Sequence, residues 1–345
     1  MIDLFTKILG SVPRNKNIRY APLTKSNMFD KDNHYYIMRH NINYAEYFEE
    51  KVTALTNYVK EYNLKALVLG ISGGIDSTVC AAICHEVTKR VPVKFIGRSL
   101  PTKHNKKGEV TTADLVGKAF CSNYMEFNMD IPYRKFAHSI TFSEGLLSEG
   151  SPFTFDEIPS KQTTLANGNI QARLRMIYLY NLASVHKGIV IDTDNLTEHN
   201  LGYFTIHGDQ GDVNPIGDLW KTQVFELAEW LQLHYASEES NSSKVAALEA
   251  SLQLKPTAGL GITNNDLEEI GAESYEQVDG ILQEILAWKW LSKKRGDFPE
   301  GDLKEQREMF LDEQQMLDTP IEVILNVVDR HFKSEFKRKK LPIVL

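Results

Sequence analysis

Cysteine is scarce in this sequence, with three in 345 residues and none in a C-x-x-C pair. That excludes a disulfide framework and a thiolate zinc or redox motif. Cys80 and Cys84 stand one helical turn apart, the spacing of two core thiols, and Cys121 stands alone. Long apolar runs are absent as well. No stretch of eighteen apolar residues could span a bilayer, and Met1 to Gly10 holds Asp3 and Lys7 where a secretory signal would be apolar. The expectation is a cytoplasmic protein with no membrane partner. Basic excess is missing too: 39 Lys and Arg face 46 Asp and Glu, a net charge of -7. A broad basic face is thereby excluded, and no nucleic-acid partner is expected. The one basic concentration is Lys333, Lys337, Arg338, Lys339 and Lys340, whose default reading is a solvated tail. Fixed-period repeats and low-complexity tracts are lacking.

What is present is the material of a folded domain. Hydrophobic residues make up 42% and charged residues 25%, enough for one large α/β unit with an appendage. Residues before Tyr44 show no sustained periodicity and read as an N-terminal extension, 1–43. Glu46 to Tyr62 is helical in pattern, with Val52, Leu55, Tyr58 and Val59 on one face. The run Ala66 to Ile71 is continuously apolar, as expected of a strand buried on both faces. A glycine-rich turn follows, and then Val79, Ile83 and Val87 recur every fourth residue. Val93 to Ile96 reads as a strand, Thr111 to Phe120 as a helix and Tyr124 to Met129 as a strand. Asn169 to Ala183 reads as a helix and Gly188 to Ile191 as another buried strand. This alternation predicts an α/β fold, a doubly wound three-layer sandwich with a mainly parallel sheet. Trp220 to Leu231, Tyr275 to Leu291 and Pro320 to Phe332 predict additional C-terminal helices. In such folds ligands bind beyond the carboxyl ends of the strands.

The turn reads Gly70-Ile71-Ser72-Gly73-Gly74-Ile75-Asp76-Ser77, between a strand and a helix start. Unpaired N–H groups and the helix dipole favour an anion there, and glycines let the backbone approach a phosphate. Ser72 and Ser77 add hydroxyls. Asp76 beside phosphates makes sense if magnesium bridges the two negative partners. A tight turn capped by Ser and Asp would need none of this chemistry. No Walker A string, G-x-x-x-x-G-K-[ST], occurs in the chain.

The S-G-G-x-D-S string in this setting resembles the PP-loop ATP pyrophosphatases, which cleave ATP between the α and β phosphates. Within that group, the stretch Asn167 to Lys221 resembles the ammonia-dependent NAD synthetases. It contains N-G-N-I-Q-A-R-L-R-M-I, T-D-N-L-T-E-H-N-L-G-Y-F-T and G-D-Q-G-D-V-N-P-I-G-D-L-W-K-T-Q-V. The resemblance implies that residues 44–345 form one ATP pyrophosphatase domain with a helical C-terminal elaboration. It implies that Gly70 to Ser77, Thr193, Lys221 and Thr257 contact ATP, with Arg98, just after the second strand, as a further contact. Asn169, Arg173, Asp212 and Lys337 match substrate-binding positions, Lys337 through a tail that is H-K-R in the family and Phe336-Lys337-Arg338 here. Glu198 matches a magnesium ligand, so Asp76 and Glu198 would hold the metal, and Asp76, Glu198 and Lys221 would be the catalytic set. From the residues alone, Arg173 and Arg175 on an apolar helix fit a buried ion pair equally well, and Thr193, Asp194 and Glu198 fit a plain helix cap.

The implied reaction is amidation of deamido-NAD to NAD with ammonia, ATP and magnesium, through an acyl-adenylate, releasing AMP and pyrophosphate. About sixty-five residues precede the first strand, too few for the amidase domain of glutamine-using members. A homodimer is implied, with the apolar faces of the late helices as its candidate surface. Three positions depart from the family: Ile206 replaces a lysine, Gly259 an aspartate after P-T-A, and Phe336 a histidine. Trp288 to Asp329 shows no evident family counterpart. The alternatives are another PP-loop amidating or thiolating enzyme, GMP synthetase-like, and a nucleotide-binding regulator without turnover.

Overall fold

The computed structural model describes residues 42–143, 161–255, 265–313 and 319–339. Its sheet has four strands: β1 (Ala66–Gly70), β2 (Lys94–Ser99), β3 (Asn123–Glu126) and β4 (Gly188–Val190), in the order β3-β2-β1-β4 with every neighbouring pair parallel. In register, Val68 pairs with Ile96 on one side and Val190 on the other. The order reverses between β1 and β4, which places the switch-point crevice beyond their carboxyl ends.

Alternation along the central strands serves two helical layers. Leu67, Leu69 and Phe95 face α1 (Tyr44–Glu61), α2 (Ile75–Thr88), α3 (Lys107–Phe120), α7 (Lys221–Ala236) and α8 (Ser242–Gln253). Ala66, Val68, Ile96 and Val190 face α5 (Lys161–His186), through Met176, Leu179 and Ala183. These are the three layers expected of the doubly wound fold. A second core lies apart from the sheet. There α10 (Tyr275–Arg295), α11 (Leu303–Glu313) and α12 (Ile321–Lys333) close around Trp288 and Phe310, and α6 (Leu196–Leu201) adds Leu196 and Leu201.

Most predicted elements are present, with shifted ends. β2 runs on to Ser99 because both its neighbours keep pairing, Gly70 with Arg98 and Glu126 with Ser99. β3 stops at Glu126, although Phe127 and Met129 still donate to the Ser99 and Pro101 carbonyls. β4 ends at Val190, and Ile191 survives as one bridge to Val213. Among the longer helices, three escaped the periodicity reading: α4 (Asp130–Ser143), α8 and α11. The last two bury only a few residues each, Ala247, Leu248 and Ser251 in α8 and Gln306 and Phe310 in α11, too narrow a stripe to stand out. The remaining short helix, α9 (Asp266–Ile270), adjoins α12.

Candidate active site

The turn after β1 is shaped by Gly73. Its φ is +86°, and an added Cβ would stand 2.5 Å from the Glu109 carbonyl oxygen and 2.8 Å from the Ala113 nitrogen. Only glycine meets the dihedral and the close approach together. Gly74 is the N-cap of α2, and its N–H donates to Ser72 Oγ at 3.2 Å. Ser77 Oγ donates to the Gly74 carbonyl at 3.0 Å and lies 3.0 Å from Ser72 Oγ. Ile71 and Ile75 bury their side chains in the sheet core, so only their backbone can serve the loop. The first N–H groups of α2 have no partner within the helix, and they open toward this turn.

Asp76, on the first turn of α2, meets two groups from distant parts of the chain. Lys221 Nζ donates to its Oδ2 at 2.5 Å, and Asn195 Nδ2 donates to its Oδ1 at 2.9 Å. Lys221 Nζ also lies 3.2 Å from Glu198 Oε1. Glu198 is fixed by a reciprocal cap: its N–H donates to Asn195 Oδ1 at 3.0 Å, and its Oε2 accepts the Asn195 N–H at 3.2 Å. Two carboxylates from the loops after β1 and β4 thus face one cation at the switch point.

Burial sets the electrostatics. It pushes the Glu198 carboxyl up to about 7, Lys221 pulling it down and Asp76 adding to the rise. Burial works against the Lys221 ammonium, but Asp76 and Glu198 outweigh it and hold its pKa well above the ordinary value. The Tyr275 ring, 5.7 Å from Nζ, supplies a further electron-rich face. In the loop after β4, which holds Thr193, Asp192 accepts the N–H groups of Asp194 (2.8 Å) and Gly211 (3.0 Å). Burial raises Asp192 to about 6, and burial with Asp192 and Glu198 raises Asp194 well above the usual range. The crevice therefore concentrates carboxylates around one lysine. That donor set fits magnesium, which takes one or two carboxylates plus phosphate oxygens. Lys221 Nζ now stands between Asp76 and Glu198, as a cation would. Among the described residues no group of three or more His, Cys, Asp or Glu forms a metal cage.

A model of the NAD synthase family matches residues 47–341. An NH3-dependent NAD+ synthetase of Thermoplasma volcanium is 30% identical over 273 residues, 79% of this chain and 87% of the relative. The solved NMN synthetase of Francisella tularensis superposes with a TM-score of 0.61 at 25% identity, covering 88% of this chain and 99% of its own. The NH3-dependent NAD synthetase of Campylobacter jejuni shares the fold, with a TM-score of 0.54 at 23% identity over 88% of this chain and 100% of its own.

The chain belongs to the NAD synthase family.

The family match spans Trp288 to Asp329, so the stretch that showed no evident counterpart lies inside the NAD synthase region. Three of the residues matched to NAD synthase substrate positions converge on one segment, Gly202 to Ile206. Asn169 Oδ1 accepts the Thr205 hydroxyl at 2.8 Å, and Arg173 Nε donates to the Ile206 carbonyl at 3.2 Å. Lys337 Nζ donates to the carbonyls of Gly202 (2.7 Å) and Phe204 (2.6 Å). Two other predicted residues are engaged elsewhere. Asp212 braces the outer edge of β4, accepting the Val190 N–H at 2.8 Å and the Tyr180 hydroxyl at 3.2 Å. The Arg98 guanidinium donates to the Gly97 carbonyl and to Asn123 on β3. Arg175 donates to the Leu100 carbonyl and Asn105 Oδ1, with the Asp209 and Glu109 carboxylates near enough to act on its charge. Thr257 and Gly259 lie outside the described residues.

Sequence reasoning missed Asn195, which ties Asp76 to Glu198. Its signal was available, since Asn195-x-x-Glu198 before a helix is a capping-box spacing. It also missed Asp279, a carboxylate on the buried face of α10.

Proposed function

We propose that this chain is an ammonia-dependent NAD synthetase that amidates deamido-NAD to NAD, with ATP as co-substrate. The convergence of Asp76, Glu198 and Lys221 beside the Gly73 turn carries this reading. The nicotinate carboxylate attacks the α-phosphate of ATP, and pyrophosphate departs into the Ser72 to Ser77 turn. Ammonia then attacks the acyl-adenylate and releases AMP. Such a reaction needs no covalent enzyme intermediate, so the protein contributes positioning and charge. Lys221 neutralises the departing phosphates, and the helix start of α2 donates N–H groups to them. Asp76 and Glu198 would hold magnesium, which would supply Lewis-acid neutralisation of phosphate charge. Asn169, Arg173 and Lys337 hold the dinucleotide side through the Gly202 to Ile206 segment, with Thr193 toward ATP.

The chain is further taken to act as a homodimer in the cytoplasm. α12 turns Val323, Ile324, Val327 and Val328 into the second core and leaves Ile321 and Leu325 exposed, while α5 exposes Leu165, Ile177 and Val185 and α4 exposes Ile131 and Phe136. That apolar exposure makes α4 and α5 the favoured dimer face, ahead of the late helices. Among the described residues no helix is long and apolar enough to cross a membrane.

A second reading is NMN synthesis from nicotinate mononucleotide. It draws on the likeness to the Francisella protein and on Ile206 and Phe336, which remove two positive or titratable contacts a dinucleotide could use. The test is to incubate the pure protein with ATP, magnesium, ammonium and either nicotinate substrate, and to quantify NAD, NMN and AMP. NAD with stoichiometric AMP is expected. A preference for the mononucleotide would favour the second reading, and nucleotide binding without turnover would overturn both.

A further inference from the structure

Asp279 is 2% exposed, on the α10 stripe that buries Val278, Ile281, Leu282 and Ile285 in the second core. A carboxylate in such a place is costly unless its oxygens are hydrogen-bonded. Both are. Oδ1 accepts the Thr197 hydroxyl at 2.5 Å, and Oδ2 accepts the Thr222 N–H at 3.0 Å. Thr197 Oγ1 in turn accepts the Lys221 N–H at 2.8 Å. Thr197 adjoins Glu198 on the first turn of α6, and Thr222 adjoins Lys221 on the first turn of α7. One buried carboxylate therefore binds together the two helix starts that present the carboxylate and the ammonium of the crevice. Those N–H groups have no partner inside α7, so the contacts also satisfy its open end.

We infer that Asp279 is a positioning residue of the synthetase reaction, setting Lys221 against Glu198 through the relay Asp279–Thr197–Lys221. This rests on the function proposed above, in which both groups act on ATP and its metal. A merely structural Asp279 would hold α10 to α7 and affect activity only through the folded fraction. A positioning Asp279 affects turnover in protein that is fully folded.

The experiment compares Asp279→Asn, Thr197→Val, Thr197→Ser and the Asp279→Asn/Thr197→Val double variant in the full chain. Melting by circular dichroism fixes the folded fraction, kcat and KM are measured for the nicotinate substrate, and affinity is measured for magnesium α,β-methylene-ATP. Groups that orient a metal or catalytic side chain are commonly worth about 10- to 100-fold in activity or affinity. Asp279→Asn and Thr197→Val should each lower kcat by about tenfold or more with KM little changed. Thr197→Ser, which keeps the hydroxyl, should recover most of the loss. The double variant should be no worse than the poorer single, because both cut one relay. Folded Asp279→Asn with wild-type kcat and analogue affinity would overturn the inference, as would additive losses. If Asp279→Asn fails to fold, the Thr197→Val and Thr197→Ser pair decides alone. If wild-type protein turns over neither nicotinate substrate, the proposed function fails, and the relay is then decided by analogue affinity: weakened in Thr197→Val supports it, unchanged refutes it.

Discussion

The two cores of this protein are built differently. The sheet core buries little polar matter beyond small hydroxyls such as Thr78 and Ser251, which lie 2.7 Å apart, and its thiols are inert: burial raises Cys80 and Cys84 far from thiolate formation. The helical core around Trp288 and Phe310 carries buried polar groups at its edges. His331 Nδ1 lies 3.0 Å from the Asn200 carbonyl, and its Nε2 lies 2.9 Å from Lys289 Nζ. Because a carbonyl only accepts and an ammonium only donates, the ring is the neutral tautomer with its proton on Nδ1. Arg338 and Lys337 bind the carbonyls at the end of α6. The first core supplies a platform, and the second wires side chains to the loop after β4. The candidate active site lies on the seam. Asp76 comes from α2 in the first core, Leu196 and Leu201 tie Glu198's helix to the second, and α7 joins both through Trp220 and Val224.

If the seam organises the site, damage to the second core should disable the first. Trp288→Ala should destabilise that core by about 3–5 kcal/mol. Activity should disappear at the temperature where the helices melt, followed by circular dichroism and product formation together. Retained turnover after that melting would break the comparison. Lys221→Met leaves Asp76 and Glu198 facing each other without their cation, and turnover should fall about 10²- to 10³-fold in folded protein, the scale of losing one preorganised electrostatic contact. Gly73→Ala tests the sheet side. Strain at positive φ and the clash with α3 should destabilise the fold by about 1–3 kcal/mol and weaken nucleotide binding, read by denaturant unfolding and titration with magnesium-ATP.

The wiring of the second core should also appear as a pH dependence. Burial, with Lys289 and Arg338 adding to it, holds His331 well below its ordinary range, while Glu335 and His199 lie in the same cluster. In the unfolded chain a histidine titrates near about 6.5. Below that pH the unfolded state binds a proton that folded His331 refuses, so this residue's contribution to stability is lost as pH falls, by at most about 1.4 kcal/mol per pH unit. Raised carboxyls such as Asp279, at about 6, have the opposite sign. The measurable quantity is therefore the difference between wild type and His331→Gln, whose stability should fall less steeply from pH 6.5 to 5. The smallest effect concerns the sheet core. Cys80 and Cys84 should be modified by thiol reagents only at the rate of unfolding, followed by labelling and mass spectrometry.

Legibility divided along the same seam. The Ala66 to Gly70 strand and the Gly73 turn were evident because strand burial and turn geometry act over a few neighbouring residues. Asp76 stood out from the turn itself and Glu198 through motif resemblance, and the capping-box spacing at Asn195 was visible but unused. Asp212 and Arg98 are expected to contact ligands, and nothing in the sequence shows that their side chains also meet Val190, Tyr180 and Asn123. No local pattern shows which of two polar neighbours a side chain will choose. Asp279 had only the indirect signal of a charge within an apolar helical stripe.

By itself, the sequence determined a parallel α/β sheet, a glycine turn suited to phosphate and membership of the NAD synthase family, because backbone preference, periodicity and motif spacing are written in consecutive residues. The tertiary structure alone decided that Lys221 would sit between Asp76 and Glu198, and that a carboxylate from α10 would hold their helices. Those partners lie far apart along the chain, and which buried groups meet is settled by strand order and helix packing.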